Sequence, residues 1–375
     1  MRFSMPFREK QEVREELCKL ALAEGANRRE LCRRFQVRPR ILYKWLARYR
    51  QEGVAGLSDR SRRPHRSPHR TASEMEAAVL AVRRENRVWG GRKIAGSLDR
   101  QGLSPPSPST ITAILRRNGE PMVAAGQKVW KRFEHAAPNV LWQMDFKGHV
   151  ALSNGRLHPL TVIDDHSRYA VVLHAAAAER HTIVQNAVQA AFERYGLPEI
   201  ILTDNGSPWG DNGERSLTKL GVWLIEHGVA PWHSAPYHPQ THGKNERFNR
   251  TLKAELLDGR TFADLTQAQH GFDIWRHRYN HHRPHDALGL AVPADRYRSS
   301  PRRFRSEVEP FEYGPDDIVR RVDNAARIGF CRRRLKASKA LIGKHVAIRP
   351  RERDGLFDLV FRHVTVKSID FHNPA

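Results

Sequence analysis

The sequence predicts a multidomain protein in which all-α modules come first, an α/β core follows, and a small β domain comes last. Apolar residues recur at helical spacing through most of the first 120 residues. Residues 139–300 instead mix short apolar runs of strand length with helical stretches. Beyond residue 305, short strand-like runs alternate with turn signals such as Gly343.

The charge of the chain predicts a polyanionic partner. Its 375 residues include 64 Lys and Arg against 41 Asp and Glu, which gives a formal net charge of +23. The excess is clustered, because residues 1–72 carry 19 basic and 8 acidic side chains, a net of +11. Nucleic acid is the first partner that such a chain suits, whereas an enzyme of small metabolites is not expected to be so basic.

Other features of the composition bear on localisation. No apolar run approaches the roughly 20 residues of a membrane-spanning helix, and the N-terminus becomes charged at once. We therefore expect a cytoplasmic, nucleoid-associated protein with no membrane partner. The cysteines are Cys18, Cys32 and Cys331, an odd number without metal-ligand spacing. Cys18 and Cys32 fall at apolar helix positions and are expected in a core.

Residues 1–57 predict a DNA-binding helix-turn-helix. Helical periodicity covers 9–24 and 28–35, and a third helix starts near Pro39. Three short helices with tight turns and a basic third helix match that fold. A plain three-helix bundle with a basic surface is the alternative. The predicted DNA contacts around the third helix are Arg38, Arg40, Tyr43, Lys44 and Arg48.

A basic linker and a second helical module follow. Residues 58–72 are rich in Pro, Arg and Ser, and their Arg62 and Arg63 are predicted to follow a DNA backbone or minor groove. An ordinary solvated linker is an equal alternative. Residues 73–120 predict a degenerate second helix-turn-helix, with Ser73 and Glu76 in a capping box and Trp89 packed in a turn. Residues 121–138 form another basic linker.

Residues 139–300 predict a mixed sheet of five strands with helices on both faces. The first three strands are expected at 140–152, 157–164 and 168–175. One acid at the end of the second strand, Asp164 or Asp165, is expected to cap the turn that follows. The later elements are a helix at 181–195, a strand at 199–203, a helix at 215–227, a strand at 229–234, a helix that carries Glu246 and a helix at 264–281.

Three acidic residues of this core stand where a metal site could form. Asp145 lies in an alternating apolar run, and Asp204 ends another short apolar run. Glu246 is in the first turn of a helix, with Arg250 and Lys253 at i+4 and i+7. Surface helices often carry such a face, so Glu246 alone would decide nothing. Buried carboxylates, however, are costly unless they are paired or bound to metal.

Carboxylates from three elements suit two Mg²⁺ or Mn²⁺ ions, because these hard ions prefer oxygen ligands. Two ions roughly 3.5–4 Å apart can clamp the attacking and leaving oxygens of an in-line phosphoryl transfer. Asp145 would bridge both ions, while Asp204 and Glu246 would each hold one. Arg250 and Lys253 would then face DNA phosphates beside the site.

Several motifs carry a resemblance to a known family. The segments WQMDF, TDNG and HPQTHGKNERFN, in this order of strands and helices, resemble the catalytic core of DDE transposases and retroviral-type integrases. The segment YNHHRPHDALG and the N-terminal helix-turn-helix with its GLSDRSRRP linker are similar to bacterial insertion-sequence transposases. The resemblance covers roughly residues 10–300 and, less closely, the C-terminal β domain.

The resemblance implies a ribonuclease-H-like core with Asp145, Asp204 and Glu246 as its catalytic and metal-binding acids. It also implies cleavage of transposon ends in double-stranded DNA and joining of the freed 3′ ends to target DNA. A homo-oligomer that synapses two ends is implied as well. Lys244 and Asn245 stand next to Glu246 in the motif and complete the predicted DNA contacts.

Several alternatives stay open from the sequence. The gap between Asp204 and Glu246 is 41 residues (205–245), wider than is commonest in the family. The histidine-rich segment 277–285 could suggest a zinc site, but it has no cysteines at suitable spacing. The alternative functions are a non-catalytic DNA-binding regulator and a structure-specific nuclease with the same core. The other candidate acids are Asp211, Glu214, Glu226 and Glu255.

Residues 305–375 predict a small β-barrel, with a β-sandwich as the alternative. Short strands are expected at 319–322, 326–330, 346–349, 356–361 and 364–369. Basic side chains in this domain favour a role at the DNA backbone; they are Arg332, Arg333, Arg334 and Lys336.

Overall fold

The computed structural model describes residues 10–60, 70–121, 134–204, 206, 208–209, 217–233, 243–353 and 355–372. The chain divides into two compact units, residues Met1–Arg70 and Thr71–Ala375. Over the described residues, each helix is either too short or too polar to span a bilayer.

The first unit contains the three short helices that the sequence predicts. Its helices are α1 (Lys10–Leu22), α2 (Arg28–Arg34) and α3 (Pro39–Glu52). The Asn27 side chain accepts a hydrogen bond from the backbone N–H of Glu30 and so begins α2. The prediction that Cys18 and Cys32 are core residues is confirmed, because both are buried between the helices.

The second unit begins with three more helices: α4 (Ser73–Glu85), α5 (Gly91–Arg100) and α6 (Pro108–Arg117). They enclose Trp89, which is 2% exposed, so the prediction that it packs is confirmed. The predicted capping box is wrong: α4 has Ala72 at its N-cap without a side-chain hydrogen bond. Glu76 instead forms an ion pair with Arg117 of α6.

The centre of the second unit is a mixed sheet. Its strands are β1 (Leu141–Phe146), β2 (Val150–Ala151), β3 (Arg156–Asp164), β4 (Ala170–Ala176), β5 (Ile200–Thr203) and β6 (Ala230–His233). β3 pairs antiparallel with β1, β2 and β4, whereas β1, β5 and β6 are mutually parallel. The mixed sheet is therefore confirmed.

The first predicted strand differs from the structure. The sequence predicts one strand over 140–152, but this stretch is interrupted, and β1 and β2 pair with different parts of β3. The interruption contains Gly148 at φ 86°, a left-handed conformation that a regular strand does not accommodate. Counting β2 separately, the sheet has six strands instead of five.

Helices cover both faces of this sheet. They are α7 (His181–Tyr195), α8 (Lys219–Glu226), α9 (Gly243–Leu252), α10 (Leu265–His281) and the short α11 (Pro293–Arg296). Trp142 and Ile201 pack against α7 and α8 on one face, and Ile163 and Leu173 pack against α9 and α10 on the other. A π-helical turn at Lys253–Leu257 extends α9.

The C-terminal strands form open sheets, so the predicted barrel is wrong. They are β7 (Ile318–Arg321), β8 (Arg327–Phe330), β9 (Arg333–Lys336), β10 (His345–Pro350), β11 (Leu356–Phe361) and β12 (Val364–Asp370). The order β12-β11-β10-β7 makes a four-stranded antiparallel sheet, and β8 pairs with β9 in a separate hairpin. Ile225 of α8 packs into the apolar core of these strands, which places them against the central sheet.

Candidate active site

Adjacent parallel strands bring Asp145 and Asp204 to one edge of the sheet. Gln143 of β1 pairs with Leu202 of β5, and the two acids stand two residues further along their strands. Because side chains alternate along a strand, both acids belong to the face on which Gln143 meets α9. Neighbouring strands are roughly 5 Å apart, so the two carboxylates are close neighbours.

The environment of Asp145 disfavours its ionised form. Burial, followed by the charge of Asp204, raises the pKa of the Asp145 carboxyl to about 6. Two hydrogen bonds oppose the shift, from the backbone N–H of Phe146 and from Asn249, whose Nδ2 lies 3.0 Å from Asp145 Oδ2. Paired carboxylates with a raised pKa are characteristic of sites that bind cations or transfer protons.

Asp204 lies just beyond the end of β5 and is exposed. Its Oδ1 accepts a hydrogen bond from the backbone N–H of Gly206 at 3.0 Å, which closes a tight local turn. Its backbone carbonyl accepts one from Nδ1 of His233 on β6, also at 3.0 Å. Because the turn holds both the backbone and the carboxylate, the Asp204 side chain is presented at the strand edge.

A buried polar network fixes the first turn of α9 to the sheet. Asn245 donates from its backbone N–H to Gln143 Oε1 at 3.2 Å, and its side-chain Oδ1 lies 3.0 Å from the Thr161 hydroxyl. Gln143 Nε2 donates to Asp165 Oδ1 at 2.8 Å, and Lys244 forms an ion pair with the same carboxylate. These contacts tie α9 to the strand that carries Asp145.

Glu246 stands between two anchored positions of α9. Asn245 and Asn249 are one turn apart and contact β1, while Glu246 is exposed on the first turn. Asn249 follows Glu246 by three residues, so their side chains share one face of the helix. Within the described residues, no group of three or more His, Cys, Asp or Glu side chains is already arranged to hold a metal ion.

Gln143 and Asn249 were not among the residues predicted for the site. Gln143 lies in the motif WQMDF, two residues before Asp145, and Asn249 lies in NERFN, three residues after Glu246. The alternation of a strand and the i+3 spacing of a helix are the sequence signals that could have placed them beside the acids.

The predicted DNA contacts near Glu246 have different outcomes. The prediction that Asn245 contacts DNA is wrong, because its side chain is completely buried. Lys244 is largely buried against Asp165, and burial lowers the pKa of its ammonium while that carboxylate partly offsets the effect. Arg250 and Lys253 are exposed, and their contact with DNA stays a prediction.

The basic residues predicted to bind DNA in the first unit are at the surface. Arg38, Arg40, Tyr43 and Lys44 are exposed, and Arg48 is half-buried. Arg40, Lys44 and Arg48 recur at intervals of four and therefore share one face of α3. Contact with DNA stays a prediction for all of them. Arg62 and Arg63 lie outside the described residues.

The competing acids are engaged elsewhere or lie outside the description. Glu226 pairs with Lys344. The Asp164 carboxylate accepts a hydrogen bond from the backbone N–H of Ser167 at 2.7 Å, which confirms the predicted turn cap. Asp211 and Glu214 are outside the described residues.

Glu255 forms a buried junction between α9 and the N-terminal helices of the second unit. Its side chain is 5% exposed. Its carboxylate accepts hydrogen bonds from Trp89 Nε1 at 3.3 Å, Trp275 Nε1 at 3.2 Å and Arg283 Nε at 2.8 Å. With three N–H donors around it, Glu255 is structural. It also explains Arg283 of the YNHHRPH segment, whose guanidinium joins the helices through this ion pair.

Families of known proteins match most of the chain in successive segments. Two matches are described as "Integrase core domain", at residues 135–239 and 227–293. A "Helix-turn-helix domain" matches 14–65, and a "Homeodomain-like domain" matches 41–115. The "IS481 family transposase, C-terminal domain" matches 317–374.

Similar curated proteins come from insertion elements. An uncharacterised 31.7 kDa protein of insertion element IS407 from Burkholderia multivorans is 26% identical over 249 residues, covering 64% of this chain and 87% of the relative. A 39.2 kDa protein of insertion element IS476 from Xanthomonas euvesicatoria is 28% identical over 257 residues, covering 64% and 69%. The chain resembles a bacterial insertion-sequence transposase.

Viral proteins are also similar to part of this chain. The Gag-Pol polyprotein of baboon endogenous virus is 28% identical over 243 residues, which cover 60% of this chain and 12% of the polyprotein. Among solved structures, a chain of the simian T-cell lymphotropic virus intasome in complex with PP2A regulatory subunit B56 gamma aligns with a TM-score of 0.41 and 12% identity, covering 78% of this chain and 96% of that one.

Proposed function

We propose that this chain is a DNA transposase that binds the ends of a transposable element, cleaves them and joins the 3′ ends to target DNA. The observation that carries the proposal is the meeting of Asp145 and Asp204 at one sheet edge, with α9 and its Glu246 anchored to the same strand. The integrase-core, helix-turn-helix and transposase C-terminal matches support it, as does the net charge of +23. We infer a ribonuclease-H-like core for the same reason.

The donor set fits divalent metal ions. All three acids offer oxygen ligands. Burial, followed by the charge of Asp204, raises the pKa of Asp145, so a cation bound there would stabilise its ionised form. Asn249 Oδ1 is buried next to this pair and has no hydrogen-bond partner among the described residues. We propose that Asp145, Asp204 and Glu246 hold two Mg²⁺ or Mn²⁺ ions. Bound there, such ions would stabilise charge on the phosphoryl oxygens.

The chain's own residues position the reaction. Asn249 holds the Asp145 carboxylate through its amide N–H, and Asn245 fixes the turn that carries Glu246. Arg250 and Lys253 are exposed beyond this turn and would hold a DNA phosphate near the acids. The contribution of the protein is then mainly orientation and neutralisation of charge.

Recognition of the element's ends is proposed for the helical modules. A helix-turn-helix places its second helix, which is α3 here, in the major groove. The side chains that would contact the duplex there are Arg38, Arg40, Tyr43, Lys44 and Arg48. We further propose a homo-oligomer that holds two ends together, and a cytoplasmic protein that works on the nucleoid. Residues 73–120 would supply a second DNA-binding module.

A strand-joining assay tests the function. The purified protein is mixed with labelled ends of its own element, a target plasmid and Mg²⁺, beside the Asp145→Asn variant. We expect joined product with the wild-type protein and none with the variant, while both bind the ends. Binding without cleavage or joining in either Mg²⁺ or Mn²⁺ would favour a non-catalytic regulator. Cleavage without joining of pre-cleaved ends would favour a nuclease.

A further inference from the structure

Trp232, in strand β6, is 50% exposed, unlike every other tryptophan that the structure describes. Within the described part of the chain, its indole makes no hydrogen bond or ring contact and belongs to no apolar cluster. A single exposed apolar side chain is ordinary on a protein surface, so the position of Trp232 decides whether it has a role. The tryptophans that pack in apolar clusters are Trp45, Trp89, Trp142, Trp209, Trp223 and Trp275.

The register of the sheet places Trp232 on the face that carries the two aspartates. Trp232 pairs with Leu202 of β5, and Leu202 pairs with Gln143 of β1. Paired residues of parallel strands project to the same face, and so do residues two apart along one strand. Trp232 therefore shares its face of the sheet with Asp145 and Asp204.

Trp232 is also a near neighbour of Asp204. Adjacent strands are roughly 5 Å apart and two residues span roughly 7 Å, so the Cα atoms of Trp232 and Asp204 are about 8 Å apart. His233 holds the end of β6 against the end of β5. Its Nδ1 lies 3.1 Å from the Thr203 hydroxyl and 3.0 Å from the Asp204 carbonyl oxygen. The indole is therefore fixed beside the acid that follows β5.

The edge of β6 does not favour pairing with another protein strand. β6 has four residues and is the last strand on its side of the described sheet. Its Pro231 has no N–H to offer to an added strand. Short edge strands that contain proline are a device against strand addition. A partner of Trp232 is therefore expected to contact the ring and not the backbone of β6.

An indole beside acids that act on DNA suits a nucleobase. Every base has a π-face, so stacking on an aromatic ring tolerates any sequence. Inside a duplex, neighbouring bases cover both faces of a base, whereas a base that is unpaired or displaced from the helix can stack on a side chain. The proposed joining reaction brings a 3′ end to the acids, and it therefore brings a terminal base close to Trp232.

We propose that Trp232 stacks on the terminal base of the cleaved strand and holds that base out of its pair while the 3′ end lies at the acids. The inference deepens the proposed function and rests on it, because it names a residue that positions the DNA end at the same site. The ring replaces the stacking that the base loses when it leaves the helix. The stack fixes the last nucleotide and so keeps its 3′ hydroxyl near Asp145 and Asp204.

Removing the ring and removing the base should have the same effect on binding. Full-length protein in Mg²⁺, without target DNA, is titrated with a pre-cleaved end duplex of its own element and with the same duplex lacking only the terminal base. Trp232→Ala should weaken binding of the intact end by about 5- to 150-fold. The missing base should weaken wild-type binding by a similar factor. Both changes together should weaken binding no more than either one alone.

Two control variants separate stacking from general effects. Trp232→Phe keeps an aromatic face and should retain most of the affinity for the intact end. Ile274→Ala removes another exposed apolar side chain, on α10, and should leave both affinities unchanged. The ratio of the affinities for intact and abasic ends is measured within each variant. A change in the fraction of folded protein therefore does not alter it.

Two results would overturn the proposal. One is a Trp232→Ala variant whose ratio of affinities for intact and abasic ends equals that of wild type. The other is a Trp232→Ala variant that loses an oligomer which the wild-type protein forms without DNA, because the ring would then belong to a contact between copies of this chain. Sedimentation of both proteins without DNA measures the second result.

The proposal and the proposed function can fail separately. Wild-type protein that joins ends, together with a Trp232→Ala variant that binds and joins them equally well, would refute the stack alone. Wild-type protein that binds the ends but never cleaves or joins them would refute the transposase proposal. The comparison of intact and abasic ends would then still report on the stack, because it measures binding and needs no chemistry.

Discussion

Replacing Asp145 by asparagine is expected to stabilise the metal-free protein at pH 7. Burial and the charge of Asp204 raise the pKa of the Asp145 carboxyl to about 6, from an ordinary value of 3.8. The folded protein therefore binds this proton more tightly than the unfolded chain does. Between pH 3.8 and 6 the folded state carries more protons, so the free energy of unfolding falls as pH rises through that window. Above pH 6 the ionised Asp145 lowers the free energy of unfolding by the full amount.

The size of this cost follows from the shift. A difference of 2.2 pKa units, from 3.8 to about 6, corresponds to about 3 kcal/mol at roughly 1.36 kcal/mol per unit. Asparagine keeps an oxygen that can accept the hydrogen bond from Asn249, but it accepts more weakly than a carboxylate. We therefore expect the Asp145→Asn variant to gain about 1–3 kcal/mol at pH 7 and little at pH 4.

Urea denaturation at pH 4 and pH 7 in EDTA measures both values. Asp204→Asn serves as the matched control, because removing its charge should lower the pKa of Asp145 and shift the pH dependence to more acidic values. Added Mg²⁺ should stabilise the wild-type protein and not the Asp145→Asn variant. A variant that is no more stable than wild type at pH 7, or whose gain is the same at both pH values, would refute the reasoning.

Two further predictions concern the anchors of α9. Asp165→Asn removes the charge that faces the largely buried Lys244, so it should lower the free energy of unfolding, measured with urea, by about 3 kcal/mol. The double variant Asp165→Asn, Lys244→Met should recover most of this stability, because no buried charge is left unpaired. An equal loss of stability in both variants would contradict the importance of the ion pair. Glu255→Gln should also cost about 3 kcal/mol because it leaves the buried Arg283 uncompensated, whereas Trp89→Phe, which removes one hydrogen bond, should cost about 1 kcal/mol. Equal costs for these two variants would show that the charge of Glu255 is unimportant.

The positions of the two aspartates could be predicted because Asp145 lies within an alternating apolar run and Asp204 ends another. An alternating run such as the one around Asp145 specifies a strand, and a short run that stops at Asp204 specifies its end. Parallel neighbours then place both acids at one edge. The three helices of the first unit are equally predictable, because their apolar spacing and the turn before Pro39 are local signals.

Other features depend on contacts that the sequence pattern does not encode. Strand periodicity cannot tell whether short C-terminal strands close into a barrel, and here they leave two open sheets. The break after β1 contains Gly148, whose φ of 86° is left-handed. The burial of Asn245 was missed because Lys244, Asn245 and Glu246 are consecutive polar residues, and composition alone does not say which of them faces the sheet.

The polar residues of the motif around Glu246 hold α9 in one position on the sheet. Asn245 and Asn249 contact β1 from successive turns of α9, and Lys244 pairs with Asp165 to one side. Two contacts one turn apart fix both the rotation of a helix and its position along its axis, because a rotation that kept one would break the other. Among the residues that the structure describes, the direction of Glu246 is therefore set by its neighbours on the helix. A change at Asn245 or Asn249 should then disturb the position of Glu246 although the acid itself is intact.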